Sequence, residues 1–140
     1  MSYSKLLKYM EIAKAVAGLS KDSTKVGAII LDAENRPVSF GYNGFIKGIE
    51  DELMPVERPE KYGVTCHAEM DAVLFAQRSL VGCKLFVTHS PCDNCLKYIL
   101  QAGIREVYYL NEYPFKNDEA INTLKEATKD LIYKKLEEEK

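Results

Sequence analysis

Residues Val26 to Leu31 read VGAIIL, an apolar run with no polar position to turn toward water. A strand in a sheet exposed on one side would alternate, so this run predicts a strand buried on both faces. Asp32 to Arg36 supplies a turn, and Pro37 to Tyr42 returns as a second strand. Before them, Leu6, Met10, Ala13 and Ala17 stand at helical spacing, and Gly18 can stop that helix. From Ala68 onward the chain alternates. Ala68 to Ala76 reads as a helix packing Met70, Val73 and Leu74 on one face, and Lys84 to Thr88 as a strand. A helix follows from Asp93 to Gln101, ending at Gly103, then a strand from Glu106 to Leu110. Asp118 to Thr128 forms another helix, with Ala120, Ile121, Leu124 and Ala127 inward, and Leu131 to Leu136 a last strand. Strands alternating with helices imply a mixed or parallel sheet with helices on both faces, the α/β class. The length suits one domain spanning residues 1–140.

Phe45 to Thr65 is different in kind. It carries Gly48, Pro55, Pro59 and Gly63 with little periodicity, as a mobile binding loop or lid would. The tail Glu137 to Lys140 reads as a solvated, frayed end. With 46% apolar residues, 29% charged residues and a net charge of −2, the composition excludes a disordered chain. The same charge argues against gripping long nucleic acids through many phosphates. No apolar run approaches the ~20 residues of a membrane span, and the first ten residues carry Lys5 and Lys8 in place of a cleavable apolar stretch. The expected location is the cytoplasm. There the four cysteines point to metal or core roles before disulfides.

Two short segments carry chemistry, Cys66-His67-Ala68-Glu69 and Pro91-Cys92-Asp93-Asn94-Cys95. Each lies where a helix begins, and Pro91 suits a helix entrance. A helix N-terminus favours negative charge, which lowers the pKa of a cysteine placed there. Cys92 and Cys95 share one helical face, where two thiolates can bind one ion. His67 offers a third ligand, and a His/Cys/Cys set suits zinc with the fourth position left for water. Zinc brings the pKa of such a water down to about 7. Glu69, two residues past His67, is placed to move that water's proton without binding the metal. Zinc-activated water with a proton-shuttling glutamate adds water to an electron-poor C=N and expels ammonia. A lone Cys-x-x-Cys is equally compatible with a redox pair or a structural zinc site. Cys83 reads as a small core residue, His89 as a maker of a local hydrogen bond or a residue facing the pocket, and Cys66 as a neighbour of the site or a fourth ligand closing it.

The order His-x-Glu then Pro-Cys-x-x-Cys matches the zinc deaminases. With Ser20-Lys21-Asp22-Ser23-Thr24-Lys25-Val26-Gly27, Gly41-Tyr42-Asn43-Gly44-Phe45 and Gly82-Cys83-Lys84-Leu85-Phe86-Val87-Thr88, the chain resembles the deoxycytidylate (dCMP) deaminases of the cytidine deaminase superfamily from about Ser20 to Leu110. The resemblance implies a three-layer fold with a five-stranded mixed sheet and helices on both faces. It implies hydrolysis of dCMP to dUMP and ammonia, supplying thymidylate synthesis. His67, Cys92 and Cys95 match the zinc ligands and Glu69 the general acid/base. Ala68 and Ser90 match groups that meet the pyrimidine, and Asn43 matches a sugar contact. Spacing alone reads Asn43-Gly44 as a tight turn. Lys21, Ser23 and Lys25 form a candidate 5′-phosphate site, and Tyr113, Phe115 and Lys116 occupy the place of groups that close over the nucleotide. Some relatives are hexamers activated by dCTP and inhibited by dTTP. The resemblance therefore implies a homo-oligomer, a hexamer first, with Mg2+ accompanying any triphosphate effector. Phe45 to Thr65 holds no cysteine or histidine for a second metal, so one zinc per chain is expected. A non-catalytic zinc module and a thiol redox protein are the rival classes, and Glu69 speaks against the first.

Overall fold

The computed structural model describes residues 1–54 and 63–138. The chain runs α1 (Tyr3–Ala17), β1 (Gly27–Leu31), β2 (Pro37–Tyr42), β3 (Gly44–Phe45), β4 (Thr65–Cys66), α2 (Ala68–Ala76), β5 (Lys84–His89), α3 (Asp93–Gln101), β6 (Glu106–Asn111), α4 (Asp118–Ala127) and β7 (Ile132–Lys135). Five strands form one mixed sheet in the order β2-β1-β5-β6-β7. The strand β1 is antiparallel to both β2 and β5, whereas β5, β6 and β7 are parallel. Every residue of β1 is buried, as its unbroken apolar run requires.

Alternate residues of the strands feed two cores. Ile29, Leu31, Phe86, Tyr108 and Leu110 meet Leu6, Met10 and Ala13 of α1 on one face. Ala28, Ile30, Leu85, Val87, Val107 and Tyr109 meet Ala68, Ala72, Cys95 and Ile99 on the other. There α4 rests on α3 through Leu96, Leu100 and Ile121. No described helix is long and apolar enough to cross a membrane.

A glycine sits where each sheet face meets its first helix. A Cβ on Gly27 would fall on the carbonyl oxygen of Ala13 and the amide of Ala17 in α1. One on Gly41 would fall on the carbonyl oxygen of Ala68 and the amide of Ala72 in α2. The approach of α2 is further tied by the Ser39 hydroxyl donating to the Ala72 carbonyl (2.8 Å) and the Tyr42 amide donating to Asp71 Oδ2 (3.1 Å).

Two expectations about helix faces hold in part: Met70 and Val73 pack against the core from α2, and Ile121 and Leu124 from α4, but Leu74 and Ala127 face out. The side of α2 on the sheet carries Ala68 and Ala72, Met70 and Val73 are half-buried, and Leu74 stays 65% exposed. In α4, Ile121 is buried, Ala120 and Leu124 are half-buried and Ala127 is exposed, because α4 packs along a neighbouring helix and turns a narrow stripe inward. The tail is also tied down as far as it is described. Tyr3 Oη donates to the Glu137 carbonyl (3.1 Å) and accepts its amide (2.7 Å), and Glu138 pairs with Lys14 (2.6 Å). The long connection starts and ends in a short antiparallel ladder, Gly44 opposite Cys66 and Phe45 opposite Thr65. Residues 55–62 of this connection lie outside the described residues.

Gly41→Ala is expected to cost about 1–3 kcal/mol, the range for overpacking against backbone that cannot yield. A lower urea midpoint at unchanged m-value checks it. Burial, with a hydrogen bond to Glu112, pushes Tyr109 up to about 12, and burial also pushes Tyr108 and Tyr133 upward. A raised folded pKa means stability is intact below the unfolded tyrosine value near ~10 and is lost as pH climbs through the folded value. Urea midpoints should therefore fall from about pH 10 upward. Tyr109→Phe should flatten that fall.

Candidate active site

Both metal-ligand segments end up as helix caps. His67 is the N-cap of α2 and Cys92 the N-cap of α3, each in extended backbone. The Cys92 sulfur accepts the amide of Cys95 at 3.4 Å, which satisfies one of the orphan donors of the α3 first turn. The β3–β4 ladder delivers the chain to His67 directly after Cys66. His67 Nδ1 lies 3.2 Å from Cys95 Sγ and 3.7 Å from Cys92 Sγ, and the three donor atoms lie within 4.8 Å of one another. Tetrahedral zinc with ordinary Zn–N and Zn–S lengths sets N···S separations of about 3.6 Å, so the donor set fits that ion in chemistry and in spacing. Cys66 stands apart, its thiol directed at the His67 carbonyl (3.7 Å), and Cys83 is a core residue.

The protonation pattern follows from this crowding. The Cys95 thiol and His67 both donate to Cys92, which holds the Cys92 thiol down at about 4, while Cys95 is pushed upward. Hydrogen bonding to Cys92 raises His67. Glu69 is buried, with its Oε1 3.6 Å from His67 Nδ1, and burial pushes its carboxyl upward. A carboxyl group raised in this way exchanges protons more readily near neutrality than an exposed one.

These groups open onto one cavity. One wall comes from the helix starts, with His67, Ala68, Glu69, Ser90 and Cys92. The other comes from the strand ends and the loop before β1, with Asp22, Thr24, Val26, Asn43 and His89, while Thr65 and Tyr113 complete the lining.

Among the residues singled out in the sequence, Asn43, Ala68, Ser90 and Tyr113 line the cavity alongside Glu69 and the donor atoms. Lys25 and Ser23 do not line it, and the Lys25 ammonium is bound to the Ser20 carbonyl. Neither Asn43 nor Gly44 has positive φ, so the pair is no tight primed turn. Instead Asn43 Oδ1 accepts the Val26 amide (2.9 Å) and its Nδ2 donates to the Thr24 carbonyl (2.7 Å). Ser20, buried, donates to the Asn43 carbonyl at 2.8 Å. Ser90 Oγ accepts the Tyr113 amide (2.8 Å), and the Tyr113 ring stands edge-on to His67 at 5.9 Å. Phe115 stacks edge-on to Tyr113, and Lys116 pairs with Glu112 and Asp118.

Sequence reasoning missed Asp22, Thr24, Val26 and Thr65 in the cavity lining, and Ser20 as the support of the Asn43 carbonyl. Asp22 and Thr24 alternate with the lysines of a polar stretch, and nothing local distinguishes the side that faces the cavity. His89 makes the expected local hydrogen bond to Thr88 and lines the cavity as well.

Residues 3–111 match the cytidine and deoxycytidylate deaminase zinc-binding region. An uncharacterized deaminase in the luxG 3′ region of Aliivibrio fischeri is 48% identical over 102 residues, covering 72% of this chain and 69% of that protein. Human deoxycytidylate deaminase is 38% identical over 120 residues, covering 80% of this chain and 67% of that protein. The crystal structure of dCMP deaminase from the cyanophage S-TIM5 in complex with dCMP and dUMP superposes with a TM-score of 0.77 at 30% identity. That match covers 96% of this chain and 98% of the phage chain.

Cys95→Ala should weaken zinc binding by more than about 100-fold, since losses of second-shell partners alone reach that range. Metal analysis after dialysis, with Glu69→Ala retaining full occupancy beside it, checks both the ligand set and the separate standing of Glu69.

Proposed function

The chain belongs to the cytidine and deoxycytidylate deaminase family, and on that premise we propose that it hydrolyses dCMP to dUMP and ammonia. The observation that carries the reading is the buried Glu69 carboxylate beside the His67, Cys92 and Cys95 donor atoms, at one wall of a cavity. Held by those three side chains, one zinc ion per chain would acidify water and so supply the nucleophile at neutral pH. Glu69 takes a proton from the attacking water as its oxygen bonds to C4 of the cytosine. It gives that proton to N3 as the C4=N3 double bond opens, then carries the proton of the new C4 hydroxyl to the exocyclic nitrogen, so that the C4–N bond breaks with loss of ammonia and the C4 carbonyl forms. Burial suits Glu69 to both steps, because a carboxyl raised toward neutrality can accept and release a proton at little cost.

Ala68 and Ser90 line the helix-start wall and meet the pyrimidine in this reading. Asn43 meets the sugar while its own amide is held by Thr24 and Val26. Tyr113 closes over the base, braced by His67 and Phe115. Ser23 and Lys25 belong to the segment assigned to the 5′-phosphate. The product dUMP supplies thymidylate synthesis in the cytoplasm. The Gly41-Tyr42-Asn43-Gly44-Phe45 segment supports regulation by dCTP and dTTP in a homo-oligomer, a hexamer first, with Mg2+ on the triphosphate effector.

Ammonia release from the zinc-loaded protein is expected with dCMP, and Glu69→Ala should lower kcat by about 10³-fold with zinc retained. Silence of the wild type on dCMP, deoxycytidine and dCTP would remove the reading. Added dCTP and dTTP in the same assay test the regulation.

A further inference from the structure

The cavity holds a second imidazole that the hydrolytic steps leave unused. His89 is the last residue of β5 and lines the cavity with Glu69 and Asn43. Val87 lies opposite Ala28 in the antiparallel pair with β1, so two residues further His89 comes level with Val26, on the strand-end wall. Its Nδ1 is 3.2 Å from Thr88 Oγ1, and that oxygen accepts the Gly27 amide at 3.1 Å. Thr88 is 4% exposed, so its hydroxyl proton needs an internal acceptor. Among the described residues His89 Nδ1 is the acceptor in reach. The hydroxyl therefore donates to Nδ1, and the ring proton sits on Nε2. Burial lowers the pKa of His89, so the ring is an uncharged donor at neutral pH. Nε2 has no hydrogen-bond partner among the described residues.

We propose that His89 is a specificity-determining residue whose Nε2–H donates to an oxygen of the deoxyribose-phosphate part of the nucleotide. The proposal rests on the nucleotide reading of this cavity. C4 and N1 lie at opposite ends of the pyrimidine ring. A base with C4 at Glu69 therefore turns its N1-linked sugar away from the helix starts and toward the strand ends, where His89 and Asn43 stand. The acceptor is a sugar oxygen or a phosphate oxygen, and a neutral donor serves either.

The test compares wild type, His89→Phe and His89→Gln, all zinc-loaded, on dCMP and deoxycytidine. The phenylalanine keeps the ring volume and removes the donor, and is expected to raise KM for dCMP about tenfold, one hydrogen bond's worth, with kcat within about threefold. Glutamine, which restores an N–H at similar reach, should recover most of the loss. A KM effect on dCMP alone identifies a phosphate oxygen, and parallel effects on both substrates identify a sugar oxygen. An unchanged KM, or a loss confined to kcat, overturns the proposal. Long-range ¹H–¹⁵N correlation on the wild type gives an answer independent of the variants' folding and of turnover. Nδ1 should be unprotonated at neutral pH and Nε2 should shift on adding dUMP. A protonated Nδ1, or an Nε2 indifferent to dUMP, overturns the proposal. Wild type inactive on both substrates is instead a failure of the nucleotide reading.

Discussion

The rest of the structure depends on bringing the N-termini of α2 and α3 together, so that donor atoms from segments far apart in the chain lie within 4.8 Å of one another. Neither helix could hold that position alone. Gly41 lets the backbone of α2 lie directly on β2, and Ser39 and Asp71 lock the contact with hydrogen bonds. The short β3–β4 ladder delivers the chain to His67 at the right height. On the other side, β5 runs straight into the Ser90–Cys92 turn and α3. The sheet therefore sets the spacing of the candidate metal ligands, and the helix caps set their directions.

That arrangement crowds several titratable groups into little space. Two sulfurs, an imidazole and a buried carboxylate share one end of the cavity, and their crowding pulls their protonation apart: Cys92 downward, Cys95 and Glu69 upward. Concentrating unlike ionisation tendencies in one place is costly for folding and useful for proton transfer, which is the usual exchange at hydrolytic sites. The dense core beneath, built from fully buried Leu85, Val87, Val107 and Ile99, holds the crowded end in place.

The opposite wall is organised through backbone atoms. Asn43 uses its side chain as a clamp between Thr24 and Val26, and Ser20 holds the Asn43 carbonyl. Thr88 ties the Gly27 amide and the His89 ring into the same layer. The cavity thus has a proton-exchanging wall at the helix starts and a hydrogen-bonding wall at the strand ends, Asp22 among its residues. Such a division suits a ligand with a reactive base at one end and an oxygen-rich sugar at the other.

Local periodicity recovers the helices and the five strands of the main sheet, but not the β3–β4 ladder, whose strands pair across the long connection. The run VGAIIL became the wholly buried β1, and Ala68–Ala76 and Asp93–Gln101 became the helices whose caps carry His67 and Cys92. The candidate ligands and Glu69 were legible too, because metal chemistry restricts residue types and a helix turn restricts spacing. Which way neighbouring residues face was a different matter. Leu74 points to solvent because the seating of α2 on Gly41 admits only Ala68 and Ala72 between helix and strand. Asn43 clamps a distant loop in place of forming a turn, and Glu137 and Glu138 are tied back to α1, because their partners lie far away in sequence. The sequence by itself determined the helices, the five strands of the main sheet and the candidate ligand residues at each helix start, since each of these depends on residues a few positions apart. Only the tertiary structure decided the strand-end wall, His89 included, because a cavity is defined by surfaces that meet across the fold.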